Sequence, residues 1–289
     1  MDHTPTLLDI IIVNYNSTDR LLTCLSSIYQ SLQDLSAKVL VVDNASSDGI
    51  ERIQTKFPGV CLIENTTNMG FAKAVNQGIR QGSSPTAVLL NPDTSISEDF
   101  FKLAVEYMEQ HPDVGILGPK ILDPDGSIQG SARSFPTPLT AIFGRTSFMT
   151  RLFPNNPISR QNILTINSDK TVRSVDWVSG ACMVVSRKAI DVVGLMDECF
   201  FMYFEDADWC KRMWEEGWKV MYNPGISITH HVGTSSKKNF VKSSLEFHRS
   251  AFNFYKKHNS RLTFFFVLPL LVGGLTLRFL LTLMKKQKD

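Results

Sequence analysis

The sequence lacks several short motifs that identify common classes of nucleotide-binding enzyme. No GxGxxG motif follows the first apolar run, which argues against a nicotinamide dehydrogenase, and there is no P-loop. A nucleotidyltransferase needs a glycine-rich, basic N-terminal loop to hold a triphosphate. Here the first turn reads Asn-Tyr-Asn-Ser at residues 14–17, without glycine or lysine. Internal repeats and low-complexity tracts are also missing.

Cysteine is scarce and charge is nearly balanced. The five cysteines are odd in number and none forms a CxxC pair, so neither a zinc site nor a disulfide framework is expected. We interpret them as reduced, mostly buried thiols of a cytoplasmic protein. The formal net charge is only +2, which gives no case for a nucleic-acid partner. A secretory signal is not expected either, because no basic region precedes an apolar stretch at the N-terminus.

What the sequence does contain is a regular alternation of strand-like and helix-like segments. The chain has 289 residues, of which 43% are hydrophobic, enough for one large α/β domain or two small ones. Apolar runs and helical periodicity alternate in the first third. They predict strands over 8–13, 39–42, 60–63 and 86–90, and helices over 18–32, 48–57 and 70–82. This βαβαβαβ order predicts an α/β fold with a parallel sheet and right-handed crossovers.

The remainder of the chain is less regular. The pattern predicts helices over 97–111, 188–193 and 205–216, and extended segments over 114–122, 178–186 and 220–230. Between them, residues 133–170 are rich in Pro, Asn, Ser and Thr. We interpret this stretch as a long loop of the kind that contacts a substrate or forms a lid.

The C-terminal segment differs from the rest in composition. Residues 263–277 carry no charge, the apolar character continues to Met284, and lysines and arginines flank both ends. This length is close to the roughly 20 residues that cross a bilayer. Internal Pro and Gly also fit an interfacial helix with lysines on anionic headgroups. We therefore predict an α/β domain over 1–260 and a membrane-associated segment over 261–289, with a helix packed on the domain as the alternative.

Asn or Asp follows each of the first four predicted strands, at Asn14, Asp43, Asn65 and Asn91. Ligands of such sheets bind beyond the carboxyl ends of the strands, so we expect a polar cleft there. Asp43 is placed to accept from a uracil or thymine imide or a ribose hydroxyl, although a turn aspartate explains it too. Asp93, in Asn-Pro-Asp, is placed to ligate Mg²⁺ or Mn²⁺, or simply to form a type I turn.

Two further positions are candidates for chemistry. Asp206 begins a helix after an aromatic run, which suits a general base beside an apolar wall, or merely an acidic first turn that stabilises the helix dipole. His230 and His231 end a strand, and alternation lets only one of them face the cleft. We favour His230 as a metal ligand, against an ordinary structural histidine.

Taken in order, these motifs resemble family 2 inverting glycosyltransferases with the GT-A fold. Each motif is short and weak singly, but seven in the same order over residues 7–258 are highly specific. The subgroup resembled is the rhamnosyltransferase-like enzymes of polysaccharide and O-antigen assembly. The motifs are Ile11–Asn16, Val41–Gly49, Asn68–Ala72, Leu90–Asp93, Trp177–Ala181, Glu205–Asp208 and His230–His231.

The resemblance implies a GT-A fold, with a mainly parallel twisted sheet flanked by helices, and a role for each motif. Asp206 would be the catalytic base that deprotonates the acceptor hydroxyl, giving inversion in one displacement. Asp93 and His230 would hold a divalent cation, Mg²⁺ or Mn²⁺. The donor-sugar and acceptor region would be shaped by Trp177, Gly180 and Glu205. The nucleotide pocket would be lined by Val13, Asn14, Asn16, Asp43, Gly70, Ala72, Asn76 and Asn91.

One departure from the family concerns the metal motif. Many relatives have Asp-x-Asp where this chain has Asn91-Pro92-Asp93, so the first carboxylate is missing, although the rhamnosyltransferase-like subgroup often shows this form. The resemblance implies a nucleotide-diphosphate sugar donor, such as dTDP-rhamnose or a UDP-sugar, and a saccharide or lipid-linked acceptor. It also implies a place at the cytoplasmic face of the cell membrane. The alternative is a catalytically degenerate membrane scaffold, against which Asp93 and Asp206 both argue.

Overall fold

The computed structural model describes residues 7–137, 171–231 and 240–260, and within the C-terminal segment residues 262, 264, 265, 268, 269 and 272–276. In the first third, strands and helices alternate as the sequence predicts. The elements are β1 (Leu8–Asn14), α1 (Thr18–Leu32), β2 (Ala37–Asp43), α2 (Arg52–Lys56), β3 (Cys61–Glu64), α3 (Phe71–Gln81) and β4 (Thr86–Leu90). Helix α2 is shorter than expected, and Asp48, which we expected to begin it, contacts the first residue of α1 instead. Its carboxylate accepts from the backbone N–H and the hydroxyl of Thr18, at 2.8 and 2.6 Å.

The remaining elements include several that the sequence pattern did not predict, namely the short strands β5, β7 and β8 and the last helix, α7. In order, they are β5 (Thr94–Ile96), α4 (Phe100–Gln110), β6 (Val114–Leu122), β7 (Ala132–Arg133), β8 (Arg173–Ser174), β9 (Trp177–Val178), β10 (Cys182–Ser186), α5 (Arg187–Val193), α6 (Glu205–Glu215), β11 (Lys219–His230) and α7 (Phe240–His258).

The main sheet is mixed, which corrects the expectation of a mainly parallel sheet. Its order is β3-β2-β1-β4-β10-β6-β11-β5, with β8 also paired to β11. Strands β3, β2, β1 and β4 are parallel, as are β6 and β11, whereas β10 runs antiparallel to both of its neighbours. Cys182, at the start of β10, pairs with Leu90, at the end of β4. The chain therefore enters β10 at the carboxyl edge of the sheet and must run back.

Alternate residues of the strands pack against two different layers of helices. In β1, Leu8, Ile10 and Ile12 lie in one buried cluster with residues of α1 and α4. Ile11 and Val13 lie in a second cluster with residues of α3, α5 and α6. Because both faces of the sheet are covered, the central strands read as continuous apolar runs.

The five cysteines are free thiols. Cys24, Cys182 and Cys210 are buried, Cys61 is half-buried and Cys199 is exposed. The expectation of unpaired, mostly buried thiols is therefore confirmed.

Helix α7 is fixed to α6 through the buried carboxylate of Asp208. This carboxylate lies 2.9 Å from Nε of Arg212, 2.8 Å from Nζ of Lys257 and 2.7 Å from Nε2 of His258. Burial raises the pKa of Asp208, but the hydrogen bonds from His258 and Lys257 and the charge of Arg212 bring it below its usual value. The network docks α7 against the helix that carries Asp206.

Two segments predicted from the sequence fall largely outside the described residues. Of the predicted loop 133–170, residues 138–170 lie outside them. In the C-terminal segment, the described residues between 262 and 276 form helical turns, and Leu275 packs with Ala251 and Tyr255 of α7. No helix within the described part of the chain combines the length and apolarity needed to cross a membrane.

Candidate active site

The ends of β1 and β2 form a buried polar pair. Nδ2 of Asn14 donates to the carboxylate of Asp43 at 2.9 Å. Ser46 donates to the same carboxylate from its backbone N–H at 2.8 Å and from its hydroxyl at 2.6 Å. Asp43 is thus occupied by donors of the chain itself. By contrast, Oδ1 of Asn14 is buried and has no hydrogen-bond partner among the described residues. At this strand end, the oxygen that lacks a hydrogen-bond donor among the described residues is therefore Oδ1 of Asn14, and not an oxygen of Asp43.

The loops that follow β1 and β2 are joined through Asn16. Its backbone N–H donates to Oγ of Ser46 at 2.8 Å, and its side-chain oxygen accepts from the backbone N–H of Ser47 at 2.9 Å. Asn16 is exposed and has a φ of +50°. Val13, three residues earlier, belongs to the buried core. Asn16 therefore lies at the rim of the cleft, while Val13 supports the strand.

Gly70 precedes α3 at a point where the chain passes close to Phe201. Its φ is +87°, and a Cβ at this position would lie 2.7 Å from the carbonyl oxygen of Phe201. The backbone N–H of Phe71 donates to that same oxygen at 2.7 Å. Glycine is required here because side chains rarely adopt this φ and no space remains for one. The contact joins the start of α3 to the segment that leads into α6.

Ala72 and Asn76 lie on the buried side of α3. Nδ2 of Asn76 donates to the carbonyl oxygen of Met196 at 2.9 Å and to Glu198 at 3.0 Å. Its side-chain oxygen accepts from the backbone N–H of Met196 at 3.0 Å. The Asn76 carboxamide thus holds the segment before α6, and its assignment to the nucleotide pocket stays a prediction.

Asp93 and His230 are brought together by the pairing of β5 with the end of β11. Oδ1 of Asp93 lies 3.1 Å from Nε2 of His230. Nδ2 of Asn91 lies 3.4 Å from the same nitrogen. His231 donates its backbone N–H to the carbonyl oxygen of Asp93 at 2.8 Å, but this residue is exposed. Of the two histidines, His230 is the one whose ring faces Asp93.

Two residues outside the recognised motifs contact this pair. Nη1 of Arg20, on α1, lies 3.5 Å from Oδ2 of Asp93. Gln129, in the turn after β6, has its Oε1 3.1 Å from Nδ1 of His230. Sequence reasoning missed both, since Gln129 is 101 residues from His230 and neither residue carries a local signal.

Asp93 and His230 are the side chains at this edge that fit a divalent cation. A carboxylate oxygen suits Mg²⁺ and Mn²⁺, and imidazole is a common ligand of transition metals. Oδ1 of Asp93 and Nε2 of His230 lie 3.1 Å apart, close enough for one cation to bind both when the ring carries no proton on Nε2. Across the described residues, however, no group of three or more His, Cys, Asp or Glu could hold a metal ion. The pair is therefore a partial donor set that a bound ligand or water would have to complete.

Asp206 lies in the first turn of α6 and faces Gly180. The backbone N–H of Gly180 donates to its Oδ2 at 2.9 Å, and that of Ala207 donates to its Oδ1 at 2.8 Å. Burial raises the pKa of Asp206, while these two hydrogen bonds and the charge of Arg133 lower it, and the balance is a raised pKa. A half-buried carboxylate with a raised pKa is suited to accept a proton from a hydroxyl.

Glu205, next to Asp206, also has a raised pKa. It is buried, and its Oε2 has no hydrogen-bond partner among the residues that the structure describes. Burial first, and then the charges of Asp206 and Asp208, raise the pKa of Glu205 well above its usual value. This environment disfavours the charged form of Glu205, and the neutral form could donate a hydrogen bond to a substrate.

The small sheet of β7 and β9 forms a wall beside Asp206. Cζ of Arg133 lies 5.1 Å from the ring centroid of Trp177, and Nε of Arg133 donates to the carbonyl oxygen of Gly130 at 2.7 Å. Nε1 of Trp177 donates to the carbonyl oxygen of Ser134 at 2.9 Å. Trp177 and Gly180 are thus presented by one short segment. Arg133, which acts on the charge of Asp206, was missed because nothing in the sequence places it near that residue.

Comparisons with known proteins agree with this geometry. The profile of Glycosyl transferase family 2 matches residues 9–190. The N-acetylglucosaminyl-diphospho-decaprenol L-rhamnosyltransferase of Mycobacterium tuberculosis is 30% identical over 269 residues, which cover 88% of this chain and 85% of that protein. The dTDP-rhamnosyl transferase RfbF of Shigella flexneri is 27% identical over 253 residues, which cover 86% of this chain and 77% of that protein.

A solved structure shows the same fold. The mannosyltransferase PcManGT from Pyrobaculum calidifontis, in complex with GDP-Man and Mn²⁺, aligns with a TM-score of 0.59 at 17% identity. The alignment covers 94% of this chain and 74% of that one. Together with the family profile, these similarities identify a GT-A-like fold with a mixed sheet. The chain belongs to glycosyl transferase family 2 and is a nucleotide-sugar glycosyltransferase of the rhamnosyltransferase-like type.

Proposed function

We propose that this protein is an inverting, metal-dependent glycosyltransferase that transfers rhamnose from dTDP-rhamnose during cell-surface polysaccharide assembly. Its acceptor is a saccharide or a lipid-linked saccharide. The observation that carries the reaction type is Asp206, a half-buried carboxylate with a raised pKa that the N–H of Gly180 holds in place. The choice of rhamnose and of a lipid-linked acceptor rests on the names of the two rhamnosyltransferase relatives.

In the proposed reaction, Asp206 accepts the proton of the acceptor hydroxyl while that oxygen forms a bond to the anomeric carbon. The bond from the anomeric carbon to the diphosphate oxygen breaks on the opposite face, and the nucleoside diphosphate leaves with the electron pair. A single displacement of this kind inverts the anomeric configuration. Glu205, as a neutral acid, donates a hydrogen bond to the sugar or the acceptor and does not compete for the proton.

Asp93 and His230 are proposed to hold Mg²⁺ or Mn²⁺, with the remaining ligands supplied by diphosphate oxygens and water. The cation would neutralise the charge that develops on the leaving diphosphate. The guanidinium of Arg20, 3.5 Å from Asp93, adds a positive charge on the same side of the site. Asn91 lies within 3.4 Å of His230 but offers no carboxylate, so the protein's own contribution to metal affinity is modest.

For the nucleobase, we propose Asn14 as the direct contact and Asp43 as the residue that orients it. Nδ2 of Asn14 is fixed by Asp43, which leaves the buried Oδ1 as an acceptor without a partner among the described residues. A buried acceptor of this kind costs about 1–3 kcal/mol if nothing donates to it. The imide N–H of thymine or uracil is a donor of the required type.

The membrane proposal concerns the C-terminal segment and α7. The described residues Leu262, Phe265 and Val272 are 70%, 70% and 46% exposed. Leu275, by contrast, is buried against Ala251 and Tyr255 of α7. Exposed basic residues of α7 repeat at seven-residue spacing, at Lys242, Arg249 and Lys256. Exposed apolar side chains beside a row of exposed basic residues suit an anionic bilayer surface, which we place at the cytoplasmic face where nucleotide sugars are made.

The function is tested by calorimetry against dTDP-rhamnose, UDP-glucose, UDP-N-acetylglucosamine and GDP-mannose, each with Mn²⁺ and with EDTA. We expect dTDP-rhamnose to bind with Mn²⁺ and to bind more weakly with EDTA or in the Asp93→Ala variant. If a different donor bound instead, that donor would take the place of dTDP-rhamnose in the proposal. If a folded protein bound none of the four donors, the catalytic proposal would be abandoned.

The membrane proposal is tested separately, by sedimentation with vesicles of phosphatidylcholine alone or mixed with phosphatidylglycerol. Phe265→Ser is expected to reduce sedimentation with the mixed vesicles. Leu103→Ser is the control, because Leu103 is an exposed apolar residue, 39% exposed, on α4 and outside the proposed membrane surface. Equal sedimentation of both variants and the unmodified protein would contradict the proposal.

A further inference from the structure

Gln129 contacts His230 at two points. Its Oε1 lies 3.1 Å from Nδ1 of the imidazole, and its Nε2 donates to the carbonyl oxygen of the same residue at 2.9 Å. Nε2 also donates to Oδ1 of Asp123 at 2.8 Å. The backbone N–H of Gln129 donates to the carbonyl oxygen of Ile121 at 2.8 Å, which ties its main chain to the end of β6. The side chain is therefore fixed along its whole length.

These contacts determine which end of the Gln129 carboxamide faces the ring. The carboxylate of Asp123 and the carbonyl of His230 both lie against one end, and only an amide nitrogen can donate to both. A rotated carboxamide would set its oxygen against two acceptors, which is unfavourable. Oε1 therefore faces Nδ1 and accepts the N–H of that nitrogen.

A proton on Nδ1 of the neutral ring leaves the lone pair on Nε2, which faces Oδ1 of Asp93 at 3.1 Å. We propose that Gln129 is a positioning residue that selects the Nδ1–H tautomer of His230, so that the Nε2 lone pair and Asp93 together face the divalent cation. This inference rests on the proposed metal dependence. Partners of this kind set both the orientation and the basicity of a metal-binding histidine.

Asp123 strengthens the arrangement through its charge. A hydrogen bond from the Gln129 amide to a carboxylate is stronger than one to a neutral acceptor, so it resists rotation of the carboxamide. Ser127 contributes to the same turn, with its hydroxyl 2.6 Å from Oδ1 of Asp125. Its hydroxyl also lies 3.3 Å from Oδ2 of Asp123, whereas Oδ1 is the oxygen that accepts from Gln129. Ser127→Ala therefore leaves the contacts of Gln129 with His230 in place and is a useful control.

The first test is the tautomer itself, measured by ¹⁵N NMR of the imidazoles with Mg²⁺ and dTDP present, at a pH where the ring is neutral. The chain has six histidines, so the His230 signals are identified by their loss in His230→Gln. We expect protonated Nδ1 and unprotonated Nε2 in the unmodified protein. In Gln129→Leu this preference should be lost, whereas in Ser127→Ala it should be kept. A protonated Nε2 in the neutral ring of the unmodified protein would overturn the inference.

The second test is Mn²⁺ affinity in the presence of dTDP, measured by electron paramagnetic resonance. Gln129→Leu should weaken Mn²⁺ binding about 10- to 100-fold, as loss of such a partner typically does, while dTDP binding in EDTA stays unchanged. Ser127→Ala should leave both unchanged. If Gln129→Leu bound Mn²⁺ as tightly as the unmodified protein, the proposed role of Gln129 would be refuted, whereas the proposed metal dependence would stand. If the unmodified protein bound no Mn²⁺, the proposed metal dependence would fail as well.

Discussion

The backbone N–H of Gly180 donates to the carboxylate of Asp206 across two separate elements, over a distance of 2.9 Å. Gly180 follows the short strand β9, and Asp206 begins α6. The residue before Gly180 is tied in turn to the segment after β6, because the N–H of Ser179 donates to the carbonyl oxygen of Ser131 at 2.9 Å. The position of the proposed base is thus set by backbone hydrogen bonds, which a substitution of a surface side chain would not disturb.

Asp206→Asn should abolish most of the turnover and spare donor binding. The amide cannot accept a proton from the acceptor hydroxyl, so we expect kcat to fall about 10²- to 10⁴-fold. Calorimetry with the donor should give an unchanged affinity. A variant that retains full kcat would show that another group is the base. Glu205→Gln is the matched control, since a neutral acid replaced by an amide of similar shape should lose less activity.

Arg133→Gln should move the pH dependence of kcat. Asp206 acts as a base only when ionised, so activity is lost as pH falls through its pKa. The charge of Arg133 lowers the pKa of Asp206. Removing it should raise the pKa and shift the acid limb of the pH profile to higher pH. Arg133→Lys keeps the charge and should leave the limb near its original position. A shift to lower pH in Arg133→Gln would contradict this assignment.

Gly70→Ala and Gly180→Ala should differ sharply in stability. At Gly70, φ is +87° and a Cβ would lie 2.7 Å from the carbonyl oxygen of Phe201. In Gly70→Ala, we expect the free energy of unfolding to fall by about 1–3 kcal/mol because of the backbone conformation, and further because of the clash. At Gly180, a Cβ would lie 3.5 Å from Asp206, an ordinary contact. Urea unfolding should show a lowered midpoint for Gly70→Ala and little change for Gly180→Ala.

Asp208→Asn should release α7 from α6. The substitution removes a buried charge that Arg212, Lys257 and His258 surround. We therefore expect the free energy of unfolding to fall by about 3 kcal/mol at neutral pH. The pKa of Asp208 in the folded protein lies below its ordinary value of 3.8, so its stabilising effect is complete above that pH and is lost as pH falls through the lower, folded value. The stability difference between the two proteins should therefore narrow below pH 3.8.

Urea unfolding at several pH values measures this difference. Asp19→Asn is the matched control, because Asp19 forms an ion pair with Arg52 in which the Asp19 side chain is 87% exposed. An exposed pair contributes little, so the control should unfold like the original protein. If the free energies of unfolding of Asp208→Asn and the unmodified protein differed by the same amount down to strongly acid pH, the charge of Asp208 would not be the cause of that difference.

The first third of the fold was predictable from the sequence because its elements are local. Buried strands between two helix layers are continuous apolar runs, and α1 and α3 show helical periodicity over 15 and 11 residues. The mixed sheet was not predictable, because the direction of β10 depends on where the chain enters the sheet. The strand β5 was also missed, since its three residues carry no pattern of their own.

The candidate site, too, was partly predictable from the sequence and partly not. Polar residues at strand ends indicated a cleft, and the short motifs indicated Asp93, Asp206 and His230. The sequence did not indicate that Asp43 is occupied by Asn14 and Ser46, or that the unmet acceptor is on Asn14. Hydrogen bonds within a buried cluster depend on side-chain directions, which strand and helix periods do not specify.

By itself, then, the sequence determined the α/β alternation, the order of the motifs and hence the family, because each of these is encoded in neighbouring residues. Only the tertiary structure decided that Gln129 faces His230, that Arg133 acts on Asp206, and that α7 docks through Asp208. These contacts join residues that are 101, 73 and 50 positions apart. Such distant pairs meet only after strand pairing and helix packing have fixed the backbone, so no local pattern records them.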